Sequence, residues 1–246
     1  MTKRSAAQLS AVKPSMAKPC PAGPGRAKHG TAQKGEIMPS TTANVYQAEV
    51  TFTGTIGLVL DNIDTADPEN LIAVEIKKIT DKGSDMTSED RKRKDWLAYQ
   101  GAFYKDATGN LVIPWRSIKR ALRSGAYLVG GTSLSGKIDA GIEPGVTAVE
   151  FPLSYKGPTD TIALYEDKKY CLRLMVNKNP SGKKAMIPSV RPILPQWSLA
   201  FPVTVFNEII GWDRFVRSVE FTGKSVGIGN ARKLGYGRFA VDIKQT

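Results

Sequence analysis

Residues 223–243 read GKSVGIGNARKLGYGRFAVDI, with five glycines, four basic residues and a closing strand pattern of Phe239, Val241 and Ile243. Glycine lets the backbone take a positive φ and lets another chain approach closely. Backbone amides beside arginine and lysine side chains suit the phosphates of a nucleic acid. The stretch therefore predicts a nucleic-acid-contacting loop that lies against the last strand of a sheet.

Two further segments concentrate positive charge. The helix predicted to begin at Pro114 carries Arg116, Lys119, Arg120 and Arg123, and no acidic residue lies between positions 115 and 127. Because unpartnered cations repel one another, we expect an external anion to stabilise this helix. Residues 177–196 are basic and proline-rich and are flanked by strand patterns, which predicts a long hairpin arm. The candidate nucleic-acid-binding residues are thus Arg116, Lys119, Arg120, Arg123, Lys178, Lys183, Lys184, Arg191, Lys224, Gly227, Gly229, Asn230, Arg232, Lys233, Tyr236 and Arg238.

Half of the formal net charge of +12 comes from residues 1–40, which hold seven basic residues and one acidic residue. Residues 1–44 are rich in proline, alanine and lysine, and this composition predicts a disordered basic tail. Such a tail fits either an arm that captures nucleic acid or a dispensable leader. The two cysteines indicate a reducing compartment, and no signal pattern or membrane span is evident. We therefore expect a cytoplasmic protein with no membrane partner.

The single histidine, His29, lies in the tail. Residues 45–246 thus contain no histidine for a catalytic triad or a His-containing metal site, and we expect no catalytic residue, metal or cofactor. Asp61, Asp64 and Asp67 leave one alternative open, a metal-dependent nuclease. The favoured interpretation of this acidic stretch is helix capping, with Asp67 as the N-cap residue and Pro68 in the first turn.

Hydrophobic periodicity and turn signals predict alternating strands and helices. The predicted strands are 45–60 (bent at its glycines), 111–114, 146–153, 169–176 and 197–206. The predicted helices are a segment opened by residues 67–69, residues 89–103, a helix from Pro114 and residues 207–220. Residues 130–145 are rich in glycine and serine and predict a mobile loop. This order of elements is the β-α-β-β-α-β arrangement of ferredoxin-like folds, with insertions.

Three passages of the sequence resemble a known family. Residues 113–123, IPWRSIKRALR, and the Gly227–Phe239 loop are similar to two elements of the RAMP superfamily, the backbone subunits of CRISPR effector complexes. Arg191-Pro192-Ile193 before Trp197, with the closing Gly-Arg-Phe, resembles uncharacterised phage and prophage proteins of the same layout. The resemblance covers residues 45–246.

The resemblance implies an α+β, ferredoxin-like fold, a modified RNA-recognition-type antiparallel sheet with helical and hairpin insertions. It implies binding of RNA or single-stranded DNA, assembly as a homo-oligomer or filament on the nucleic acid, and contact with other effector-complex subunits. Superfamily members that cleave RNA generally use a histidine, which residues 45–246 lack. The aromatic sheet signature of ordinary RNA-recognition domains is also missing. A different function remains open, an interaction or decoy protein that binds a host protein complex.

Overall fold

The computed structural model describes residues 44–158, 160–177 and 186–246, with the backbone alone for Val176, Asn177, Met186 and Ile187. The described residues lie within one compact unit, Thr41–Thr246. Residues 1–43 of the predicted tail lie outside the described residues, as do the candidate binding residues Lys178, Lys183 and Lys184. No helix in the described part of the chain has a run long and apolar enough to cross a bilayer.

A central antiparallel sheet organises the fold. Across it, the strands are β3 (Val112–Pro114), β5 (Glu150–Tyr155), β8 (Trp197–Phe206), β1 (Val45–Gly54) and β9 (Phe239–Gln245), and β4 (Ile142–Pro144) also pairs with β8. The connections run from β1 through α3 (Trp115–Gly141) to β5, then to β8, and through α5 (Trp212–Phe221) to β9. The first strand therefore lies between the third and the last strands of a β-α-β-β-α-β unit, which confirms the predicted fold class.

The core lies between this sheet and the helices α3 and α5. Alternate residues of β1 and β8 point into it because successive side chains of a strand face opposite sides of the sheet. The ring of Phe52 stacks on the ring of Phe239 with centroids 3.9 Å apart, which joins the first strand to the last. The inward-facing residues of the two central strands are Ala48, Val50, Phe52, Trp197, Leu199, Phe201, Val203 and Val205, all buried.

The opposite face of the sheet is polar at its centre. Thr51 of β1 lies between Ala200 of β8 and Asp242 of β9 in the register of the three strands, and Glu49 lies beside Lys244. The centre of this face thus lacks the aromatic rings that ordinary RNA-recognition sheets present to bases.

A second, smaller sheet contains β2 (Leu58–Val59), β7 (Met186–Leu194) and β6 (Cys171–Asn177), with α1 (Leu71–Thr80), α2 (Ser88–Gly101) and α4 (Thr161–Glu166) nearby. The β6–β7 ladder runs from the Cys171–Pro192 pair to the Asn177–Met186 pair. β6 and β7 pair as the predicted hairpin requires, but residues 186–194 of the predicted arm form a strand within this sheet, paired with β6 over residues 186–192 and with β2 at residues 193–194.

The predicted cap of α1 was wrong. Asn70, not Asp67, is the N-cap residue, and its side-chain oxygen accepts hydrogen bonds from the amides of Ile72 and Ala73 at 3.0 and 3.4 Å. Asp67 instead follows a 3₁₀ turn, Ile63–Ala66, and accepts a hydrogen bond from the amide of Glu69 at 2.9 Å. Both side chains can cap a helix, but α1 begins at Leu71, directly after Asn70.

The mobile loop predicted at residues 130–145 was also wrong. α3 resumes after a break at Gly130 and Gly131, where the φ of Gly131 is +69°, and it continues to Gly141. Leu134 and Ile138, one turn apart, are buried in the core. Burial of this pair outweighs the low helix propensity of the glycines and serines around it.

The helix predicted at 207–220 begins later than expected. Trp212 is its first residue because Gly211, at φ +78°, turns the chain, and the Asn207 side chain accepts a hydrogen bond from the Trp212 amide at 2.9 Å.

Candidate nucleic-acid interface

The glycine loop, residues 222–238, has a defined backbone conformation. It contains a π-helical turn, Thr222–Val226, and a 3₁₀ turn, Arg232–Leu234. The Ile228 amide donates to the Gly237 carbonyl, and the Gly237 amide donates to the Gly57 carbonyl, both at 2.9 Å. These hydrogen bonds connect two parts of the loop to each other and connect the loop to the segment between β1 and β2.

The glycines serve this internal packing, which corrects the expectation that they admit another chain. Gly227, Gly229 and Gly237 have positive φ, and each lies against backbone of this chain. A side chain at Gly237 would collide with the Ile228 carbonyl, and one at Gly229 with the Val59 carbonyl. Any contact with a ligand in this loop therefore falls mainly to its side chains.

A groove of about 770 Å³ separates α3 from the glycine loop, and we call it the α3–loop groove. Five cations from the two elements surround a partly apolar surface. The structure thus joins two of the surfaces that the sequence predicted separately. The lining residues are Arg120, Arg123, Ser124, Tyr127, Leu128, Ser135, Ser225, Val226, Arg232, Lys233 and Arg238.

Arg232 is a half-buried cation of this groove. Its pKa is lowered from its ordinary value, first because burial disfavours the charged form and then because of the charge of Arg120. Among the described residues, no carboxylate forms an ion pair with Arg120, Arg232 or Lys233. An anion placed between these side chains would relieve their mutual repulsion.

Arg238 has a structural role in addition to lining the groove. Its guanidinium donates to the Lys224 carbonyl, and its own carbonyl accepts from the amides of Thr55 and Ile56 at 2.9 and 3.2 Å. Its Nε is buried without a hydrogen-bond partner in the described chain. The exposed Lys224 and the half-buried Tyr236 do not line the groove.

The expectation that the cations of α3 are unpartnered was wrong for three of the four. Arg116 lies 2.6 Å from Asp64, and this hydrogen bond is the first cause of the raised pKa of Arg116. Asp139 lies 3.4 Å from Arg123 and 3.8 Å from Lys119. The acids come from a turn before α1 and from the second half of α3, so their absence between 115 and 127 did not reveal them.

A second groove, of about 890 Å³, shares Arg120, Arg232 and Lys233 with the first. Asp61 lies within it, 2.9 Å from Arg191 and 2.7 Å from the Asn230 amide nitrogen that donates to it. Arg116 and Gly229 also line this groove. Because Asp61 and Asp64 pair with Arg191 and Arg116, this groove adds no unpaired cation to the three that it shares with the α3–loop groove. The α3–loop groove also holds Arg238, which pairs with no carboxylate in the described chain.

The three carboxylates weighed as a metal site have separate partners. Asp61 forms an ion pair with Arg191, and Asp64 forms one with Arg116. Asp67 accepts a hydrogen bond from the Glu69 amide. In the described ranges, no group of three His, Cys, Asp or Glu side chains is placed to hold a metal ion.

Sequence comparison identifies no matching family model and no similar curated protein. Among solved structures, the chain is similar to the Type III-B Cmr-beta bound to cognate target RNA, solved by cryo-EM, with 14% identity and a TM-score of 0.45 over 82% of this chain. It spans 60% of the length of that chain. Cmr6 from Pyrococcus furiosus is similar with 11% identity and a TM-score of 0.36, over 81% of this chain and 99% of Cmr6.

Proposed function

We propose that this chain is a non-catalytic protein that binds single-stranded RNA or DNA in the α3–loop groove. The observation that carries the proposal is the meeting of Arg120, Arg232 and Lys233, from two distant segments, with no carboxylate paired to them in the described chain. The repulsion among these cations is unfavourable in the unliganded protein. The phosphates of a bound strand would attract all three cations and offset that repulsion.

Binding should depend steeply on salt. Each phosphate neutralised on a single strand contributes about −0.7 to the slope of log K against log salt. Five groove cations therefore set a limit of about −3.5 for this groove. A slope near zero would contradict the proposal.

The proposed role is non-catalytic because residues 45–246 contain no histidine for general acid–base catalysis.

In the proposal, the chain assembles as repeated subunits along the strand and contacts other effector-complex subunits, as the sequence resemblance implies. Light scattering with oligonucleotides of increasing length tests the assembly. The number of bound subunits should rise with length, and a constant single subunit would contradict repeated assembly.

The decisive binding experiment compares two triple variants of equal charge. Replacement of Arg120, Arg232 and Lys233 by glutamine should weaken binding of labelled U20 or dT20, measured by fluorescence anisotropy, by at least tenfold at ~0.1 M salt. The control replaces Lys78, Arg91 and Lys92, which are exposed and line neither groove. Equal losses in the two variants would mean that net charge, not the groove, binds the strand. Comparison of U20 with dT20 decides between RNA and DNA.

A second candidate function is an interaction or decoy protein that binds a host protein complex. The observation that favours it is Leu234, whose side chain is 66% exposed in the turn of the glycine loop. A pull-down after nuclease treatment tests this candidate, because a protein partner survives digestion. Loss of the partner with Leu234→Ser, with unchanged nucleic-acid affinity, would support it.

A further inference from the structure

Tyr127 occupies an unusual position for an aromatic side chain in this protein. It lies on α3 and is 56% exposed, and it is the only exposed aromatic side chain in the described part of the chain. The adjacent Leu128 is 57% exposed. Both line the α3–loop groove, beside Arg120, Arg123 and Arg232. An uncovered apolar surface of this kind marks a binding site when it lies inside a concave polar rim.

We propose that the ring of Tyr127 stacks against an unpaired base, while the cations around the groove hold the flanking phosphates. This inference rests on the proposed function and specifies its ligand. Sequence-tolerant single-strand binders combine a positively charged groove with aromatic rings, since every base has a face that can stack. The α3–loop groove is the place in the described structure where an exposed ring and uncompensated cations coincide.

The geometry excludes the usual alternative for base stacking. In the centre of the open sheet face, Thr51 lies between Ala200 and Asp242, so no ring is available there. The bases of a duplex are already stacked on one another and do not present their faces to a protein. The inference therefore requires preference for a single strand over a duplex.

The charge of the groove selects a nucleic acid over an apolar peptide. Tyr127 and Leu128 alone would suit either ligand, but Arg120, Arg232 and Lys233 surround them without paired carboxylates in the described chain. The volume of about 770 Å³ lies in the range of pockets that enclose drug-sized ligands. An apolar peptide would leave the cations uncompensated.

The test uses the full chain and three probes: dT15, an abasic strand with the same phosphates, and a 15-base-pair duplex. The wild-type protein should bind dT15 about 5- to 150-fold more tightly than the abasic strand, given ~1–3 kcal/mol per stacked base. It should also bind dT15 more tightly than the duplex. Tyr127→Ala should bind dT15 and the abasic strand equally, whereas Tyr127→Phe should retain the difference. The salt slope of Tyr127→Ala should equal that of the wild type, because the ring neutralises no phosphate.

Equal wild-type affinity for dT15 and the abasic strand, with the expected salt slope, would overturn the stacking inference and leave the proposed function standing. This measurement needs no variant, so a folding defect in Tyr127→Ala cannot obscure it. If the wild-type protein prefers dT15 but Tyr127→Ala keeps that preference, Tyr127 is not the stacking surface. Absence of salt-dependent binding to every strand would overturn the proposed function as well.

Discussion

Arg120 of α3 and Arg232 of the glycine loop line the same two grooves, and burial, together with the charge of Arg120, lowers the pKa of Arg232. The fold thus holds two like charges together with no paired carboxylate in the described chain. Arg120→Gln should leave the free energy of unfolding unchanged or slightly higher, because it removes this repulsion. It should also make the salt slope of binding less steep by about 0.7. Thermal unfolding and anisotropy titrations measure the two effects.

The exposed cation Arg91 supplies the control, since it lines neither groove. Arg91→Gln should change neither the slope nor the stability. A stability loss in Arg120→Gln with an unchanged slope would instead assign Arg120 a purely structural role.

Asp64→Asn separates the binding and nuclease hypotheses. Asp64 and Arg116 are both about half exposed, so their ion pair should stabilise the fold by less than about 1 kcal/mol. The substitution leaves Arg116 unpaired in the second groove but adds no cation to the α3–loop groove, so nucleic-acid affinity should change little. A metal-dependent nuclease that uses Asp64 would instead lose magnesium-dependent cleavage, which a labelled-substrate gel would reveal.

Two glycines of the loop should respond differently to alanine. Gly237, at φ +71°, lies against the Ile228 carbonyl, and Gly237→Ala should destabilise the fold by roughly 2–4 kcal/mol through backbone strain and overpacking. Gly235, at φ +91°, has open space where a Cβ would project, so Gly235→Ala should cost only about 1 kcal/mol. Urea unfolding followed by tryptophan fluorescence gives both values. Equal losses would mean that strain alone, without the collision, sets the cost.

Local patterns in the sequence predict the central strands well. Residues 197–206 were predicted as a strand and form β8, because alternation of apolar and polar residues encodes a half-buried strand directly. The β-α-β-β-α-β order of elements followed from such patterns, and the structure confirms it. Segments whose structure depends on distant packing were harder to predict. Residues 130–145 carry breaker residues, yet Leu134 and Ile138 pack into a core assembled from other elements.

The candidate site was also predictable only in part, because its local features are encoded in the sequence and its long-range contacts are not. The glycine loop and the cations of α3 are evident in the sequence, but their meeting in one groove depends on how α3 packs against α5 and the π-helical turn. The pairing of Arg123 with Asp139 crosses the break at Gly130 and Gly131, and the pairing of Arg116 with Asp64 joins distant segments. No local pattern reports such pairs. Nucleic-acid binding by these residues stays a prediction.

The packing of α3 against the loop's first turn is testable with two glycines of the same helix. In a helix, Gly→Ala ordinarily stabilises by about 0.5–1 kcal/mol, because glycine loses more backbone entropy on folding. Gly136 has no atom near its Cβ position, so Gly136→Ala should show this gain. Gly125 instead faces Thr222, whose hydroxyl donates to the Ser218 carbonyl at 2.7 Å in a buried contact.

Gly125→Ala should therefore have the opposite sign. The new methyl group would collide with the Thr222 side chain, and overpacking of roughly 1–3 kcal/mol outweighs the entropic gain. Because Thr222 is the first residue of the glycine loop and of its π-helical turn, the same variant should also weaken binding to dT20. Chemical denaturation and anisotropy of the two variants, measured side by side, test this. Stabilisation by both substitutions would show that α3 and the loop are not in close contact in solution, and the α3–loop groove would lose its structural basis.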